Sequence, residues 1–332
     1  MKRLLVIRFS ALGDVAMLVP VVRALAEQHP EIEITMLSQE RMADLFANMP
    51  ENVCFHGVDV HRLSLREIVA GLGRYDAVAD MHGVWRSMYI RMVMRLRGAR
   101  VATIHKGRIS KFLLTHKIAH KPLKTNILRY AHVLQSLGLT VYAPDAPCMK
   151  LRNEQEEGIG IAPFAAHCGK VYPIERMEEV VRILSERNER GGKSERNEKV
   201  VLFGGGQKEQ EILDGWAKKY KGVESIAGKY SLAEELEIMR GLRVMISMDS
   251  ANMHLASLVG LRVVSVWGAT DPKAGFLGFG QRIEDCVKRD DLDCRPCSIY
   301  GERRCKYGDY RCMKIASENI VRKVTERNED CH

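Results

Sequence analysis

Short runs of branched apolar residues alternate with helical patterns along this chain, and the alternation restricts the fold more than any other feature. Near the start, Arg3–Phe9 (RLLVIRF) predicts a buried strand, Val15–Gln28 a helix and Ile32–Leu37 a second strand. Tyr75–Met81 predicts another strand, and Trp85–Leu96 predicts a helix with a Met/Ile face and an arginine face. Strands that alternate with helices form parallel sheets covered by those helices. The sequence therefore predicts an α/β fold.

The alternation is interrupted at Tyr142–Glu157, which holds two prolines and shows no periodicity. We therefore expect two α/β domains, residues 1–150 and 151–332, with a final helix at Ile315–Glu326 that could pack back on the first domain. The pentapeptide SERNE occurs at 185–189 and again at 194–198, as in an inserted surface loop. The other elements expected are strands at Val101–Ile104, Gly158–Pro163, Lys199–Phe203, Val244–Met248 and Val263–Trp267, and helices at Lys124–Leu137, Glu175–Arg187, Lys208–Tyr220, Leu232–Arg240 and Asn252–Val259.

The bulk composition argues against several classes of protein. The chain has 332 residues, of which 46% are hydrophobic and 28% charged, and this is ordinary for a globular protein. No apolar run approaches the roughly 20 residues that span a bilayer, and the start of the chain has no secretory signal. The nine cysteines are an odd number, which favours a reducing compartment over a disulfide framework. We expect a cytoplasmic protein, peripheral on the inner face of the membrane if it is bound there.

Positive charge is concentrated in one part of the chain. From Met81 to Pro144 there is no Asp or Glu, although the formal net charge of the whole chain is only +9. A run of positive charges is usually a surface that faces solvent. Because no acidic residue interrupts this long stretch, binding of an anionic partner is an equally good explanation. The basic residues of this stretch are Arg86, Arg91, Arg95, Arg97, Arg100, Lys106, Arg108, Lys111, Lys117, Lys121, Lys124 and Arg129.

The loop after the first strand, Ser10–Asp14, ends in a carboxylate at the start of a helix. Asp14 could cap that helix. Because ligands of parallel sheets bind at the carboxyl ends of strands, Asp14 could equally take a proton from a hydroxyl nucleophile. The loop has no GxGxxG, so it is not a Rossmann dinucleotide fingerprint.

Four loops of the second domain also follow predicted strands. Lys170 lies in Pro163–Pro173 and could reach a phosphate, although an exposed lysine is the usual alternative. Glu209 follows three glycines and could bind a ribose or base, or simply complement a helix dipole. In Met248–Ser257 (MDSANMHLAS), a strand delivers Asp249 and Ser250 to a helix start, which suits a diphosphate. His254 lies one turn further on and could be a core histidine, and Gly268–Pro272 opens at the same edge.

With these loops identified, the chain resembles glycosyltransferase family 9, the ADP-heptose:lipopolysaccharide heptosyltransferases. The resemblance covers nearly the whole length and rests on the ordered set RFSALGDVAMLVPVVRAL, YDAVADMHGVWRS, GKVYP, FGGGQKEQE, MDSANMHLASLVG and VVSVWGATDP. It implies a GT-B fold, in which two Rossmann-like doubly wound domains face each other across a cleft. It implies inversion at the anomeric carbon. Because Lys170 and the helix start near Ser250 could stabilise the departing diphosphate, we expect no metal or other cofactor.

The resemblance also implies roles for individual residues. Asp14 is similar to the family's catalytic base. The implied donor-binding residues are Gly13, Lys170, Glu209, Asp249, Ser250, Ala251, His254 and Thr270, and those expected to bind the acceptor are Arg86, His82 and Arg108. The implied partners are a nucleotide-sugar donor, an acidic glycolipid acceptor and the inner-leaflet membrane surface, with no nucleic acid.

The chain departs from the family pattern at two places. The family loop Asp-Thr-Gly is Asp249-Ser250-Ala251 here, and threonines common before the lysine are replaced by Ala165 and Ala166. The prediction of a nucleotide-sugar donor is unaffected by these changes, whereas the prediction that this donor is ADP-heptose is weakened.

Alternative functions remain open from the sequence. One is a sugar-nucleotide-binding protein without catalysis, or a GT-B-like epimerase. Nucleic-acid binding through the basic stretch lacks any signature motif, and aromatic residues are only 6% of the chain. Cys294, Cys297, Cys305 and Cys312 form a cluster in sequence that would suit a structural zinc ion, with reduced or disulfide-bonded thiols as the alternative.

Overall fold

The structure is a computed structural model that describes residues 1–118, 121–142, 157–190 and 198–326. The chain divides into two compact units. The first comprises Met1–Arg108 with Lys124–Cys148, and the second comprises Ile109–Leu123 with Met149–His332. The sequence assigned residues 109–123 to the first domain, so this segment differs from the expectation. The expected boundary at residues 150 and 151 lies outside the described residues.

The first unit is built on a five-stranded parallel sheet with the order β3-β2-β1-β4-β5. Ile7 of the central strand is in register with Leu37 on one side and Asp80 on the other, so the carboxyl ends of three strands lie at one edge. The strands are β1 (Arg3–Ile7), β2 (Glu33–Gln39), β3 (Val53–Val58), β4 (Ala77–Asp80) and β5 (Arg100–Thr103).

Helices connect these strands, and the central strand lies in the core. Leu4 to Ile7 are fully buried, as their branched, uninterrupted apolar run predicts for a strand covered on both faces. Helix α1 begins at Leu12, three residues before the predicted start. The helices are α1 (Leu12–Gln28), α2 (Leu65–Ala70), α3 (Trp85–Leu96), α4 (Arg108–Thr115), whose residues from Ile109 onward belong to the second unit, and α5 (Asn126–Gln135).

The second unit contains a six-stranded parallel sheet with the order β11-β10-β9-β6-β7-β8. Ala162 is in register with Ser247, and Met248 with Val266, so the loops after β6, β9 and β10 open at the same edge. The strands are β6 (Ile159–Ala162), β7 (Val200–Leu202), β8 (Val223–Ser225), β9 (Val244–Met248), β10 (Arg262–Trp267) and β11 (Cys286–Lys288).

The last helix of the chain packs inside the second unit. Its buried Ile320, Val321 and Val324 join the core formed by α6 and the neighbouring strands. The helices are α6 (Ile174–Arg190), α7 (Gln207–Lys219), α8 (Leu232–Met239), α9 (Ala251–Leu258) and α10 (Ser317–Thr325). Short 3-10 segments lie at Glu40–Phe46, Cys168–Lys170, Pro272–Ala274, Ile283–Asp285 and Arg311–Met313.

The predicted α/β class and the parallel sheets are confirmed. The first SERNE copy, residues 185–189, lies within α6 and not in a loop, while the second, except Glu198, lies outside the described residues. In the described part of the chain, no helix is both long enough and apolar enough to cross a bilayer.

Candidate active site

Both sheets have the Rossmann strand order, in which ligands bind where the direction of winding reverses. In the first unit this switch point lies between β1 and β4, and in the second it lies between β6 and β9. Asp14 and His82 follow the first pair of strands, and Lys170 and Asp249 follow the second pair. Four of the predicted site residues therefore lie at the two positions where this fold binds ligands.

The carboxylate of Asp14 is paired with a buried guanidinium. Arg8 lies directly after β1, and its Nη2 is 2.6 Å from Asp14 Oδ2. Its Nη1 donates a hydrogen bond to the carbonyl oxygen of Met81, and its guanidinium carbon lies 5.6 Å from the ring centroid of Tyr130. The Asp14 side chain retains 26% of its surface exposed. A ligand hydroxyl can therefore reach this carboxylate even though its ionic partner is buried.

Helix α5 supplies the second contact to Asp14. Asn126 Nδ2 donates a hydrogen bond to Asp14 Oδ1 at 3.0 Å, and the hydroxyl of Tyr130 donates to the Asp14 backbone carbonyl at 3.2 Å. Thr125 caps this helix by accepting the backbone N–H of Leu128. Asp14 Oδ2 is thus paired with Arg8 and Oδ1 accepts from Asn126, and together these contacts set the orientation of the carboxylate.

Asp14 does not cap helix α1, so that alternative is wrong. The N-cap residue is Ala11, and its carbonyl accepts the backbone N–H of Val15. Gly13 and Asp14 lie within the first turn, where a carboxylate complements the helix dipole.

His82 is a neutral imidazole at physiological pH. Burial, followed by the nearby charge of Arg8, lowers its pKa to about 4, although Asp80 and Asp14 oppose this effect. Its Nε2 lies 3.4 Å from the hydroxyl of Ser10. His82 can therefore exchange hydrogen bonds with a sugar, but it adds no positive charge to the expected acceptor site.

Asp80, at the end of β4, fixes the loop that carries His82. This fully buried carboxylate accepts the backbone N–H groups of His82 at 3.0 Å and Gly83 at 2.8 Å. It also accepts the Ser87 hydroxyl at 3.0 Å and Arg91 Nη1 at 3.1 Å. Because one carboxylate binds both the loop and the first turns of α3, the start of that helix is fixed relative to β4.

The other two residues predicted to bind the acceptor lie at helix starts. Arg86 is in the first turn of α3, where its guanidinium carbon lies 5.3 Å from the ring centroid of Trp85. Arg108 is exposed at the first position of α4. The structure places His82 next to Ser10 and Arg86 next to Trp85.

In the second unit, Lys170, Asp249 and Thr270 form one connected group. Lys170 Nζ lies 2.9 Å from Asp249 Oδ2, and the Thr270 hydroxyl donates to the same oxygen at 2.8 Å. Asp249 and Thr270 are buried, while Lys170 keeps a small exposed fraction. Gly301 makes room for the lysine, because a Cβ there would lie 2.7 Å from Lys170 Cγ.

A second lysine lies close to this group. Lys170 Nζ and Lys111 Nζ are 6.0 Å and 5.7 Å from the ring centroid of Phe276. Lys111 Nζ also donates to the hydroxyl of Tyr300 at 2.6 Å. Two cations therefore flank one aromatic ring in the second unit.

The remaining predicted donor residues are placed separately. Glu209 Oε2 accepts the backbone N–H of Gly205 at 2.8 Å, so this carboxylate closes the glycine loop before α7. Ser250 occupies the N-cap position of α9, but its side chain accepts no hydrogen bond from the backbone of that helix. Its hydroxyl lies 3.3 Å from the hydroxyl of Ser247 instead. Ala251 is the first residue of α9, and His254 is buried one turn further on.

The four clustered cysteines line one small cavity. Cys294, Cys297, Cys305 and Cys312 are free thiols at its wall, and burial raises the pKa of Cys312 to about 11. Among residues 1–118, 121–142, 157–190 and 198–326, no group of three or more His, Cys, Asp or Glu side chains is arranged to hold a metal ion. The arrangement gives the zinc alternative no support.

Sequence reasoning missed Arg8, Asn126 and Asp80. Two of them carried a signal, because Arg8 and Asp80 are charged residues at the ends of otherwise apolar buried strands. A buried charge needs a partner, so each implies one nearby. Asn126 carried no such signal, since its contact with Asp14 joins residues 112 positions apart.

The pairing of Lys170 with Asp249 predicts strongly coupled effects of substitution. Lys170→Met leaves the buried Asp249 carboxylate without its cation, and we expect a loss of about 2 kcal/mol of stability, less than for a fully buried pair because Lys170 is partly exposed. The double variant Lys170→Met/Asp249→Asn should recover more than half of the loss, because no unpaired charge remains. Thermal unfolding of both variants and of Asp249→Asn measures this coupling, and additive effects would contradict it.

Comparisons with known proteins identify the family of the chain. Residues 65–307 match the sequence profile of glycosyltransferase family 9 (heptosyltransferase). Lipopolysaccharide heptosyltransferase 3 of Escherichia coli is 24% identical over 293 residues, covering 78% of this chain and 81% of that protein.

Solved structures show the same fold. The family 9 glycosyl transferase from Veillonella parvula DSM 2008 has a TM-score of 0.72 at 18% identity, covering 97% of this chain and 96% of the other. E. coli heptosyltransferase WaaC with ADP-2-deoxy-2-fluoro heptose has a TM-score of 0.65 at 18% identity, covering 90% and 97%. The expected GT-B fold, with its two Rossmann-like domains, is confirmed. The profile covers well over half of the chain, and the chain therefore belongs to glycosyltransferase family 9, the heptosyltransferases.

Proposed function

We propose that this heptosyltransferase-type enzyme of lipopolysaccharide biosynthesis transfers a heptose from ADP-heptose to a hydroxyl of an acidic, lipid-linked core acceptor, with inversion. The observation that carries the proposal is the Asp14 carboxylate, which is oriented by Arg8 and Asn126 and remains accessible. The ADP-heptose analogue in the E. coli WaaC structure supports the choice of donor. Where the family has threonine and glycine, this chain has Ser250 and Ala251. Ser250 keeps the hydroxyl of the threonine, and no side chain caps the start of α9.

The proposed reaction is a single displacement at the anomeric carbon. The acceptor oxygen forms a bond to that carbon while the bond to the donor phosphate breaks, and ADP leaves. Asp14 accepts the proton of the acceptor hydroxyl. Arg8 and Asn126 hold the carboxylate in one orientation, so little reorganisation is needed as the proton moves.

Negative charge develops on the departing diphosphate, and residues of the second unit would stabilise it. Lys170 supplies a cation, and the free backbone N–H groups at the start of α9 supply donors and the positive end of a helix dipole. Lys170 is paired with Asp249, so a bound diphosphate would share a lysine that is already oriented. We propose that these groups suffice without a metal ion or other cofactor.

The acceptor would be bound by residues of the first unit. Arg86 and Arg108 provide cations for acidic groups, while the neutral His82 provides hydrogen bonds to a sugar. The basic stretch from Met81 to Pro144 suits an acceptor embedded in an anionic inner leaflet, where each Lys or Arg near the surface contributes about 1 kcal/mol. We therefore propose a peripheral enzyme on the cytoplasmic face of the membrane.

A screen of nucleotide sugars tests the donor. At about 100 times its Kd, ADP-heptose should stabilise the protein by about 2.7 kcal/mol and raise its melting temperature by about 5 °C. UDP-, GDP- and dTDP-sugars at the same concentration should raise it by less. Differential scanning fluorimetry measures the shift, and a larger shift with one of the other nucleotides would overturn the assignment of ADP-heptose.

Removal of the Asn126 hydrogen bond tests how Asp14 is held. Asn126→Leu removes one donor to the base, so we expect kcat to fall by about tenfold or more while the KM for the donor stays unchanged. The matched control is Asn52→Leu, since Asn52 donates only to the backbone carbonyls of Ala26, His29 and Ile32. That variant should lose stability and keep its kcat. Equal kcat values for the two variants would show that Asn126 has no role in orienting the base.

A further inference from the structure

The outward face of helix α3 is apolar. Four large side chains of this helix lie in the solvent, and together they define the α3 stripe. The stripe consists of Trp85, Met88, Met92 and Leu96, which are 64%, 53%, 53% and 83% exposed. Their spacing of three or four residues places them on one side of the helix. A surface helix normally presents polar residues to solvent, so this face is expected to have a partner.

The stripe lies opposite the face by which α3 packs on its own unit. Ser87, Ile90 and Met94 are buried and hold the helix against the sheet and α2. At about 100° per residue, the centres of the two faces are separated by about half a turn. The stripe is therefore not the edge of the core.

Positive charge surrounds the stripe. Arg86 stacks over the Trp85 ring at one end, and the exposed Arg95 precedes Leu96 at the other. The surrounding sequence from Met81 to Pro144 contains no acidic residue. A helix with an apolar face bordered by arginines and carrying a tryptophan is the pattern of an element that lies in a membrane interface.

A second copy of the chain fits this surface poorly. The stripe has four side chains along about 16 Å of helix, whereas a stable interface takes about 20–30 residues from each partner. A symmetric contact would also bring the arginines of one copy against those of the other. Lipid phosphates complement these charges, while acyl chains accept the apolar side chains.

We propose that the α3 stripe inserts into the interface of an anionic phospholipid bilayer, with its flanking arginines at the level of the phosphates. The proposal deepens the membrane association proposed above and rests on it. The stripe is continuous with the acceptor residues, because only Val84 separates Trp85 from the His82–Gly83 loop. Insertion there would place a lipid-linked acceptor beside the loop that contacts Ser10.

Tryptophan fluorescence gives a direct test. The chain has three tryptophans, of which Trp216 and Trp267 are buried and Trp85 is exposed. The probe is vesicles of phosphatidylcholine with about 30% phosphatidylglycerol, prepared with and without brominated acyl chains. We expect a blue shift and quenching by the brominated chains, and both should disappear in Trp85→Phe. Unchanged emission of the wild-type protein that has sedimented with vesicles would overturn insertion of the stripe.

A matched pair of variants tests the rest of the stripe. Met88→Gln/Met92→Gln/Leu96→Gln should lower the vesicle partition coefficient by about tenfold or more. The control, Leu63→Gln/Ile212→Gln/Ile283→Gln, replaces three exposed apolar residues elsewhere and should leave it unchanged. Equal binding of both variants, or equal binding of the wild type to pure phosphatidylcholine, would overturn the proposal. A wild-type dimer that the stripe variant abolishes, without an effect on vesicle binding, would overturn it in favour of a second copy.

The outcome for the stripe can be separated from the outcome for catalysis. Transfer to a delipidated, water-soluble acceptor should be the same for the stripe variant and the wild type. If that transfer occurs and vesicle binding does not depend on the stripe, only the membrane inference fails. If vesicle binding depends on the stripe and no heptose is transferred by any form of the protein, only the proposed function fails.

Discussion

Arg8 carries a permanent positive charge at a position from which water is largely excluded, and the candidate site of the first unit is arranged around its neutralisation. A buried charge is tolerated when it is paired and hydrogen-bonded. Asp14 supplies the counter-charge, Met81 supplies a carbonyl oxygen, and the Tyr130 ring lies beside the guanidinium. These partners come from α1, the end of β4 and α5. One side chain therefore connects the elements that place the candidate base.

The second unit shows the same physical arrangement with the charges reversed. Asp249 is the buried group, and Lys170 and Thr270 compensate it. The buried Arg295 in turn donates to the carbonyl of Thr270 at 2.8 Å and so holds the loop after β10. In both units a charge pair lies at the switch point of a Rossmann sheet, with one member accessible to a ligand. Such pairs contribute little net stability, but they orient groups before a ligand arrives.

Much of the fold could be predicted from the sequence because local patterns specify it. The buried runs Leu4–Ile7 and Val244–Met248 are uninterrupted, and the limits of α3 follow from its periodicity. Local patterns did not reveal β3, α2, α4, β8 and β11, which are short or partly polar. The assignment of Ile109–Leu123 to the second unit depends on contacts such as that between the Leu123 N–H and the Lys273 carbonyl, which no local pattern encodes.

For the candidate site, the positions of the key residues could be predicted from the sequence, but their contacts could not. The rule that ligands bind at the carboxyl ends of strands placed Asp14, Lys170 and Asp249 correctly at sheet edges. The sequence could not show which partners would hold them. Asn126 and Thr270 reach their carboxylates across long stretches of chain, so only the folded structure reveals these contacts.

A single-turnover transfer assay with Asp14→Asn tests the role of Asp14 as the base most directly. This nearly isosteric change retains the shape of the side chain and removes its ability to accept a proton. Asp14→Glu, which keeps the charge beside Arg8, and the melting temperatures of both variants control for folding. We predict that Asp14→Asn binds ADP with a Kd within about threefold of the wild-type value and transfers heptose at least about 100-fold more slowly. Transfer by the folded variant at a rate near that of the wild type would contradict the assignment of Asp14 as the base.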